Sequence, residues 1–413
     1  MDLPIPGKGD GKGDGAPAGL VEIVVRSIKH NTKQYTMFLA LIGIWVIFTF
    51  LTENVFLTPR NLSNLFVQTV TTAILAIGMV LVIVAGHIDL SVGSVLGFAG
   101  AVCATFMIKM EWGTIASIVA TLVVGLAIGV WHGFWIAYRK VPAFIVSLAS
   151  MLAFRGLIIG ITGGQTQGLE MAPEQTAERF KLIGQGYLPT IGAAVEGRIH
   201  DTSLYFVAAV ILLYLVSSFR RRRARQRYGF PVLPAYAEAL KLVFISAIIA
   251  TFGAIMVVYL GIPWSVVFVL FLAVVFGFVA DHTTFGRHLY AIGGNPDAAR
   301  LSGINVARNT FALFALMGVM TAIAGIVYTA RLNAATTSAG QNAELDAIAA
   351  AVIGGTSLMG GEGTIFGAIV GALVMTSLDN GMSLMNLDIT YQYVIKGLIL
   401  LLAVWVDMVQ RRK

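Results

Sequence analysis

The chain has 413 residues, of which 57% are hydrophobic and only 12% are charged, against about 25% charged residues in an average soluble domain. So small a charged fraction excludes a soluble protein with an ordinary surface, a disordered chain and a disulfide scaffold, and it indicates a polytopic membrane protein. The net charge of +7 is most simply explained by lysine and arginine in cytoplasmic loops, so we expect no nucleic-acid partner.

The first 35 residues come before any long apolar segment. Residues 1–19 are low-complexity Gly, Lys, Asp and Pro, which predicts a disordered tail. Neither the apolar core nor the cleavage site of a signal peptide is evident. We therefore predict a cytoplasmic tail over residues 1–35, in which Val21–Lys33 is either a plain lead-in or an amphipathic stretch on the membrane surface.

A membrane-spanning helix needs about 20 apolar residues, and a series of segments approaches this length. The predicted spans are Thr36–Leu51, Phe66–Gly86, Val92–Met110, Thr114–Ala137, Phe144–Thr162, Ser203–Phe219, Leu242–Leu260, Ser265–Ala280, Thr310–Ala330 and Tyr391–Val406. A Gly-rich stretch at Ala347–Leu378 is either two more spans or a re-entrant pair of half-helices. The predicted fold is therefore an all-α polytopic membrane domain over 36–408 with about ten to twelve transmembrane helices.

The basic residues predict the orientation of this domain. If the N-terminus is inside, the strong basic clusters all fall on the cytoplasmic side. These clusters are Arg139–Lys140, Arg220–Arg227, the arginines of 281–309, and the basic tail at 409–413. The positive-inside rule thus predicts that both termini are cytoplasmic.

Small residues recur at four-residue spacing, which is typical of close contacts between membrane helices. One set is formed by the pairs Gly93 and Gly97, then Gly100 and Ala104, and the other runs from Gly363 through Gly367 to Gly371. The two stretches are weakly alike, as expected either for an internal repeat or for a common membrane-helix pattern.

Polar residues interrupt the apolar segments at several places. Asp89 lies between two spans, where it either caps a helix that starts at Leu90 or lines a polar path through a broken helix. Glu344–Asp346 predicts a loop and a helix start outside the membrane, and Asp379–Gly381 has the chemistry of a turn.

Two basic residues, Arg155 and Lys396, fall within predicted spans. Each of them needs a carboxylate partner or access to the membrane surface. The sequence does not reveal their partners.

The segment at 281–309 encodes a short helix with defined ends. It contains a good N-cap, a proline at the first helical position, an acidic first turn, a basic last turn and a glycine after the end. The residues at these positions are Asn295, Pro296, Asp297, Arg300 and Gly303. A helix this short is not stable alone. It is suited either to docking on a partner, with Ala298, Leu301 and Ile304 as an apolar face, or to lying in an interfacial loop.

The sequence lacks the motifs for nucleotide binding and for metal binding. No G-x-x-x-x-G-K-[ST] motif occurs, so ATP would have to be bound by another chain. The single Cys103 and the scattered histidines have no metal-ligand spacing. We expect no metal, no cofactor and no catalytic residues.

Several long blocks resemble the permeases of bacterial ABC sugar importers of the ribose and xylose type, and within that family the xylose and multiple-monosaccharide branch. The blocks are Met79–Ala101, Val141–Gly156, Phe285–Gly303, Glu344–Gly361 and Leu378–Met382. The similarity covers nearly all of Thr36–Asp407. Position 87 departs from the pattern, because His87 stands where other members carry Gly or Glu.

The resemblance implies a subunit of the bacterial inner membrane that carries a monosaccharide and is not itself an enzyme. Its expected partners are ABC ATPase subunits, a periplasmic sugar-binding protein, a second permease copy and membrane lipid. The resemblance also implies an ATPase-coupling loop, whose residues here are Phe285, Gly286, Arg287, Asn295, Pro296, Arg300, Leu301 and Gly303. Candidate residues of the translocation path are Asp89, Ser91, Asn380 and Gln392.

The main alternative is a secondary transporter driven by protons or sodium, with Asp89 or Asp379 as carriers. The source of energy separates the two functions. A membrane-embedded enzyme would need clustered acid, base or metal-binding residues, which the sequence does not show.

Overall fold

The computed structural model describes residues 32–191, 200–230, 232 and 234–411, and these residues are mainly helical. The α-helices of this part of the chain are α1 (Thr32–Leu51), α2 (Pro59–Val84), α3 (Val92–Ile108), α4 (Thr114–Gly133), α5 (Ala143–Thr162), α6 (Glu174–Gln185), α7 (Asp201–Arg227), α8 (Ala235–Val258), α9 (Trp264–His282), α10 (Thr284–Gly294), α11 (Pro296–Leu301), α12 (Val306–Leu332), α13 (Ala343–Ile353), α14 (Ile365–Leu384) and α15 (Ile389–Arg411).

Short elements complete the secondary structure. The strands β1 (Gln167–Gly168) and β2 (Ala334–Ala335) form an antiparallel pair. Single 3₁₀ turns lie at Val55–Leu57 and Leu169–Met171, and a π-helical turn at Phe134–Tyr138 continues α4.

In the described part of the chain, eight helices are long and apolar enough to cross a membrane, and three shorter apolar helices accompany them. Every predicted span coincides with one of these helices. The all-α polytopic fold is thus confirmed, whereas the predicted orientation stays a prediction. Residues 32–35, assigned to the tail, already belong to α1. The tail up to residue 31 and positions 412–413 lie outside the described residues.

The Gly-rich stretch Ala347–Leu378 is neither two spans nor two half-helices. It contains most of α13, which has 11 residues, and most of α14, which has 20. At 1.5 Å per residue α13 is about 16 Å long, roughly half of a hydrocarbon core. One broken helix therefore precedes one full-length helix.

The chain forms two compact units, and the smaller contains Leu188–Ile262 with the segment that ends at Leu39. Within this unit α7 and α8 pack against each other. Arg222 and Glu238 form an ion pair across them at 3.2 Å. Gly253 allows close contact with Val207.

The larger unit contains Ala40–Tyr187 and Pro263–Lys413. Its core is α2, whose second half from Ile74 to Val84 is fully buried. Helix α12 packs against α2, α3 and α4, and α14 packs against α2 and α13. A helical segment that is apolar all round, such as the second half of α2, belongs in the centre of a bundle, since none of its faces is suited to water.

Small residues lie where these helices approach most closely, as their spacing predicts. Gly97 packs against the backbone of Ala339, and Gly100 packs against Thr329 of α12. Gly371 lies against the backbone of Ala350, which brings α14 close to α13. The internal repeat itself stays a prediction.

The predicted turn at Asp379–Gly381 is wrong, because these residues lie inside α14. The side chains of Asn380 and Asn61 bond each other, and Gly381 packs against the ring of Phe48. These buried contacts outweigh the weak local preference of Asn-Gly for a turn.

Candidate functional site

The segment at 281–309 folds into two short helices with the capping chemistry that its sequence predicts. The Thr283 hydroxyl accepts a hydrogen bond from the Gly286 N–H at 3.1 Å, which caps α10. The Asn295 side chain accepts bonds from Asp297 N (3.1 Å) and Ala298 N (2.9 Å), which caps α11. Gly303 has a φ of +85°, which favours glycine just after the helix.

Helix α11 exposes most of its surface. Leu301 is 90% exposed, Arg300 is also exposed, and Ala299 is the buried residue of the helix at 5%. The predicted apolar face is therefore only partly correct, because Ala298 faces solvent and Ile304 is half-buried. An exposed leucine beside an arginine on a capped helix is suited to contact with another protein.

Helix α10 fixes this segment to the rest of the larger unit. Gly286 packs against the backbone of Ala280, and Arg287 Nη1 donates to the carbonyl of His282 at 3.3 Å. Phe285 is half-buried. Of the implied coupling residues, those of α10 hold the helix in place and those of α11 point outward.

The segment at 281–309, called the coupling segment below after the role that the resemblance implies, contacts two breaks between helices, a connection that the sequence does not reveal. Tyr290 donates a hydrogen bond to the carbonyl of Gly363 at 2.8 Å, in the loop between α13 and α14. Burial, with a smaller effect of Asp281, raises the pKa of Tyr290 to about 12, so its hydroxyl stays a donor near neutral pH. Gly361 N donates to the carbonyl of Val84 at 2.8 Å, at the end of α2.

A cavity of about 1290 Å³ opens where the coupling segment meets the end of α2. It is lined by residues 85–88, by the turn at 136–144, by parts of 292–310, and by Met359. Lys140 and Arg300 are the charged side chains of its wall. The coupling segment therefore borders an open space next to the break between α2 and α3.

Asp89 lies in that break, but it does not cap a helix starting at Leu90. Helix α3 begins at Val92, with Ser91 in the cap position. Asp89 Oδ1 accepts hydrogen bonds from Ser91 N at 2.9 Å and from Ser91 Oγ at 2.6 Å. The chain is non-helical through residue 91. These two hydrogen bonds to the Asp89 carboxylate close a local turn just before α3.

A second polar pair lies near this turn. His132 of α4 and Ser150 of α5 are hydrogen bonded at 2.8 Å, and both side chains are buried. The carboxylate of Asp89, which is 2% exposed, interacts electrostatically with His132. The break between α2 and α3 thus has a polar interior that the α4–α5 pair helps to form.

The other two candidate path residues make separate contacts. Asn380 exchanges hydrogen bonds with Asn61 at 2.8 and 3.1 Å. Gln392 donates to the carbonyl of Leu387 at 2.9 Å, at the start of α15. The structure therefore brings Asp89 and Ser91 together in one turn, whereas Asn380 and Gln392 bond elsewhere.

The basic residues inside predicted spans have defined partners. Lys396 Nζ lies 3.0 Å from each oxygen of Asp346 and 2.8 Å from Oδ1 of Asp379. Arg155 Nη1 donates to the carbonyl of Ala339 at 3.0 Å and interacts electrostatically with Glu344. The Lys396 cluster joins α13, α14 and α15, and sequence spacing gives no sign of it.

The first turn of α13 carries acidic residues on two sides. Glu344 is buried against Gly93 at the start of α3, whereas Asp346 faces Lys396. The predicted helix start is confirmed, whereas its location outside the membrane stays a prediction. The sequence did not predict that both carboxylates are shielded from solvent.

Comparison with known proteins identifies the family. The family model described as branched-chain amino acid transport system / permease component matches residues 61–222 and 187–404. The chain is 46% identical over 385 residues to the xylose transport system permease protein XylH of Escherichia coli (strain K12), covering 93% of both chains. It is also 46% identical to XylH of Haemophilus influenzae, covering 93% of this chain and 98% of that one.

A ribose permease is more distant. The ribose import permease protein RbsC of Escherichia coli (strain K12) is 33% identical over 383 residues, covering 92% of this chain and 96% of that protein. No solved structure matches the chain. The family model and these relatives show that the chain belongs to the transport-system permease family. Together with the apolar helices, they show that it is a multi-pass protein of the inner membrane.

Proposed function

We propose that this permease carries D-xylose, or a closely related pentose or hexose, as the membrane subunit of a binding-protein-dependent ABC importer. The observation that carries the proposal is the 46% identity to XylH along 93% of both chains. The ribose permease RbsC aligns over a similar length, 383 residues, but at only 33% identity. This difference favours xylose over ribose as the substrate.

Separate subunits would supply the energy. The sequence contains no Walker-type phosphate loop, and Leu301 and Arg300 of α11 offer an exposed contact for an ATPase subunit. Closure of an ATPase pair would move this segment. Through Tyr290 and Gly363 it would also move the loop between α13 and α14.

Two further partners belong to the proposal. A periplasmic binding protein would deliver the sugar and provide most of the selectivity. A second copy of the permease would complete the translocation path. The exposed apolar surface of α15, including Leu398, Leu401 and Trp405, is available either to that copy or to lipid.

The test is tagged purification of the permease from its native membrane, with identification of the chains that accompany it. The complex is then reconstituted in vesicles, where ATP hydrolysis and uptake are measured with a panel of sugars. We expect an ATPase subunit to co-purify and xylose uptake to require ATP and a binding protein. Uptake by the permease alone under a pH or sodium gradient would instead establish a secondary transporter.

A further inference from the structure

The large cavity beside the coupling segment has a cationic wall. Lys140 and Arg300 are its charged side chains, and the described residues of its wall include no aspartate or glutamate. Asp297 lies 3.8 Å from Arg300, but it is not in the wall, and both of these side chains are largely exposed. An ion pair so open to water is weak. The wall therefore keeps a net positive charge, which is suited to an anion.

The first turn of α5 adds to this charge. Ala143 and Phe144 line the cavity at the start of this 20-residue helix. Pro142 occupies the N-cap position, and no side chain of the described residues caps this helix. The free N–H groups of a first helical turn carry a partial positive charge and favour anions. The helix start thus strengthens the attraction that the two cations of the wall already exert.

The segment that leads into this wall has the pattern of a membrane–water interface. Trp131 and Tyr138, at the end of α4 and in the π-helical turn, are 54% and 53% exposed. Exposed tryptophan and tyrosine at the end of a span typically lie at the level of the lipid headgroups. Phe144 and Ile145, each 51% exposed, continue the apolar surface onto α5. Because Phe144 also lines the cavity, the cationic wall and the apolar surface are continuous.

An anionic phospholipid matches both parts of this surface. Its phosphate suits the two cations and the start of α5, and its acyl chains suit the exposed apolar residues that follow in α5. A free phosphate or an acidic side chain would use the cationic part alone. At ~30 Å³ for each water-sized group, the cavity of about 1290 Å³ has room for roughly 40 groups, enough for a headgroup with its hydrating water.

Basic residues clustered beside membrane helices attract anionic lipids. We propose that Lys140, Arg300 and the first turn of α5 bind the phosphate headgroup of an anionic phospholipid, whose acyl chains lie along Phe144 and Ile145. Because Arg300 belongs to α11, the bound lipid contacts the coupling segment itself. The site is independent of which sugar the permease carries.

The test uses the complete permease–ATPase complex in detergent, titrated with palmitoyl-oleoyl phosphatidylglycerol, while native mass spectrometry measures the bound lipid. Phosphatidylcholine with the same chains is the zwitterionic reference. The variants are Lys140→Asn and Arg300→Gln. Asparagine is chosen because φ at Lys140 is +58°, a left-handed conformation that asparagine adopts readily. The matched control is Arg139→Gln, which removes an exposed cation that lies over the Phe134 ring and not in the cavity wall.

We expect the wild-type complex to bind phosphatidylglycerol in preference to phosphatidylcholine. Lys140→Asn and Arg300→Gln should each weaken phosphatidylglycerol binding about fivefold, the effect of one cation near a lipid phosphate, and leave phosphatidylcholine binding unchanged. Arg139→Gln should bind both lipids as the wild type does. Glycerol phosphate in excess should not displace the lipid, because it lacks acyl chains. Both wall variants should melt at the wild-type temperature without lipid, since their side chains are exposed.

Several results would overturn the lipid site. Unchanged phosphatidylglycerol binding in both wall variants would do so, and so would an equal loss in Arg139→Gln, which would show a general attraction of lipid to basic residues. Displacement by glycerol phosphate would show that the cavity binds a free phosphate and not a lipid. Binding to the isolated permease but not to the complex would assign the cavity to the ATPase contact. If one wall variant fails to fold, the other decides.

Discussion

At the scale of single residues, several polar groups of the larger unit are matched to particular partners. Asp89 bonds Ser91, Asn380 bonds Asn61, and Lys396 bonds two carboxylates. A polar group without a partner in an apolar setting costs several times the net gain of one hydrogen bond. These residues should therefore respond differently to isosteric and to truncating substitutions.

Asp89→Asn should retain most of the transport activity and stability. In the wild type, Ser91 N donates to Asp89 Oδ1 at 2.9 Å, and the amide oxygen of asparagine can accept the same bond. Asp89→Ala should destabilise the protein by about 1–3 kcal/mol, since it leaves the Ser91 donors without this acceptor. Uptake assays and thermal unfolding of the purified permease measure both effects. Complete loss of uptake in a well-folded Asp89→Asn variant would show that the charge itself is needed in the path.

The Asn61–Asn380 pair predicts a non-additive double substitution. Asn61→Ala should cost about 1–3 kcal/mol, because it leaves the buried Asn380 amide without its partner and also removes a bond to the carbonyl of Phe56. Adding Asn380→Leu should cost less than it does alone, since neither polar group then remains unpaired. Thermal unfolding of the four proteins of this cycle checks the prediction. Strictly additive effects would show that the two amides do not depend on each other.

At the scale of elements, glycine decides how closely α4 and α12 approach. Gly125 and Gly129 face Gly318 and Ala315, so that the two helices contact each other through backbone atoms. In a membrane, where apolar surface is not driven out of the solvent, such close packing is a main source of helix association.

Gly129→Ala should destabilise the protein by about 1–3 kcal/mol. An added Cβ would lie 2.9 Å from the Cα of Ala315, which has no freedom to move away without shifting a helix. The matched control is Gly156→Ala in α5, where no atom lies within 4 Å of the new Cβ. It should be neutral or slightly stabilising, since alanine favours the helix. Equal melting temperatures for the two variants would contradict this account of the helix contact.

At the scale of the whole molecule, the coupling segment is the part that joins the exposed surface to the helix breaks. Tyr290 reaches the loop between α13 and α14, and Gly361 of that loop bonds the end of α2. A push on α11 is therefore delivered to backbone segments that are not held by regular helical hydrogen bonds. Such segments are suited to change between two arrangements.

The double substitution Arg300→Glu and Leu301→Glu should abolish coupled transport while leaving membrane insertion and stability unchanged. Both side chains are exposed, so the fold does not depend on them, whereas an ATPase contact would meet two new negative charges. Uptake and sugar-stimulated ATP hydrolysis in the reconstituted complex measure the effect. Arg225→Glu, an exposed arginine outside the coupling segment, serves as the control. Normal uptake in the double variant would show that α11 is not the coupling contact.

Much of the fold and part of the site were predictable from local signals. Apolar length and composition predicted the spans, and the caps at Asn295 and Gly303 predicted α11, because both depend on a few consecutive residues. Local signals gave a wrong prediction at Asp379–Gly381. A turn was expected there, but contacts with residues distant in sequence stabilise a helix. The sequence left open whether the Gly-rich stretch forms two spans or two half-helices, since apolar composition alone does not fix where a helix breaks, and the structure has one short and one long helix there.

The sequence by itself determined the membrane setting, the helical class and the family, because these follow from composition, from apolar runs and from several long blocks that resemble one family. Only the tertiary structure decided which distant residues meet. It placed Lys396 between Asp346 and Asp379, paired Asn61 with Asn380, and joined Tyr290 to Gly363. Such contacts join helices far apart along the chain, and no short-range pattern encodes their distance.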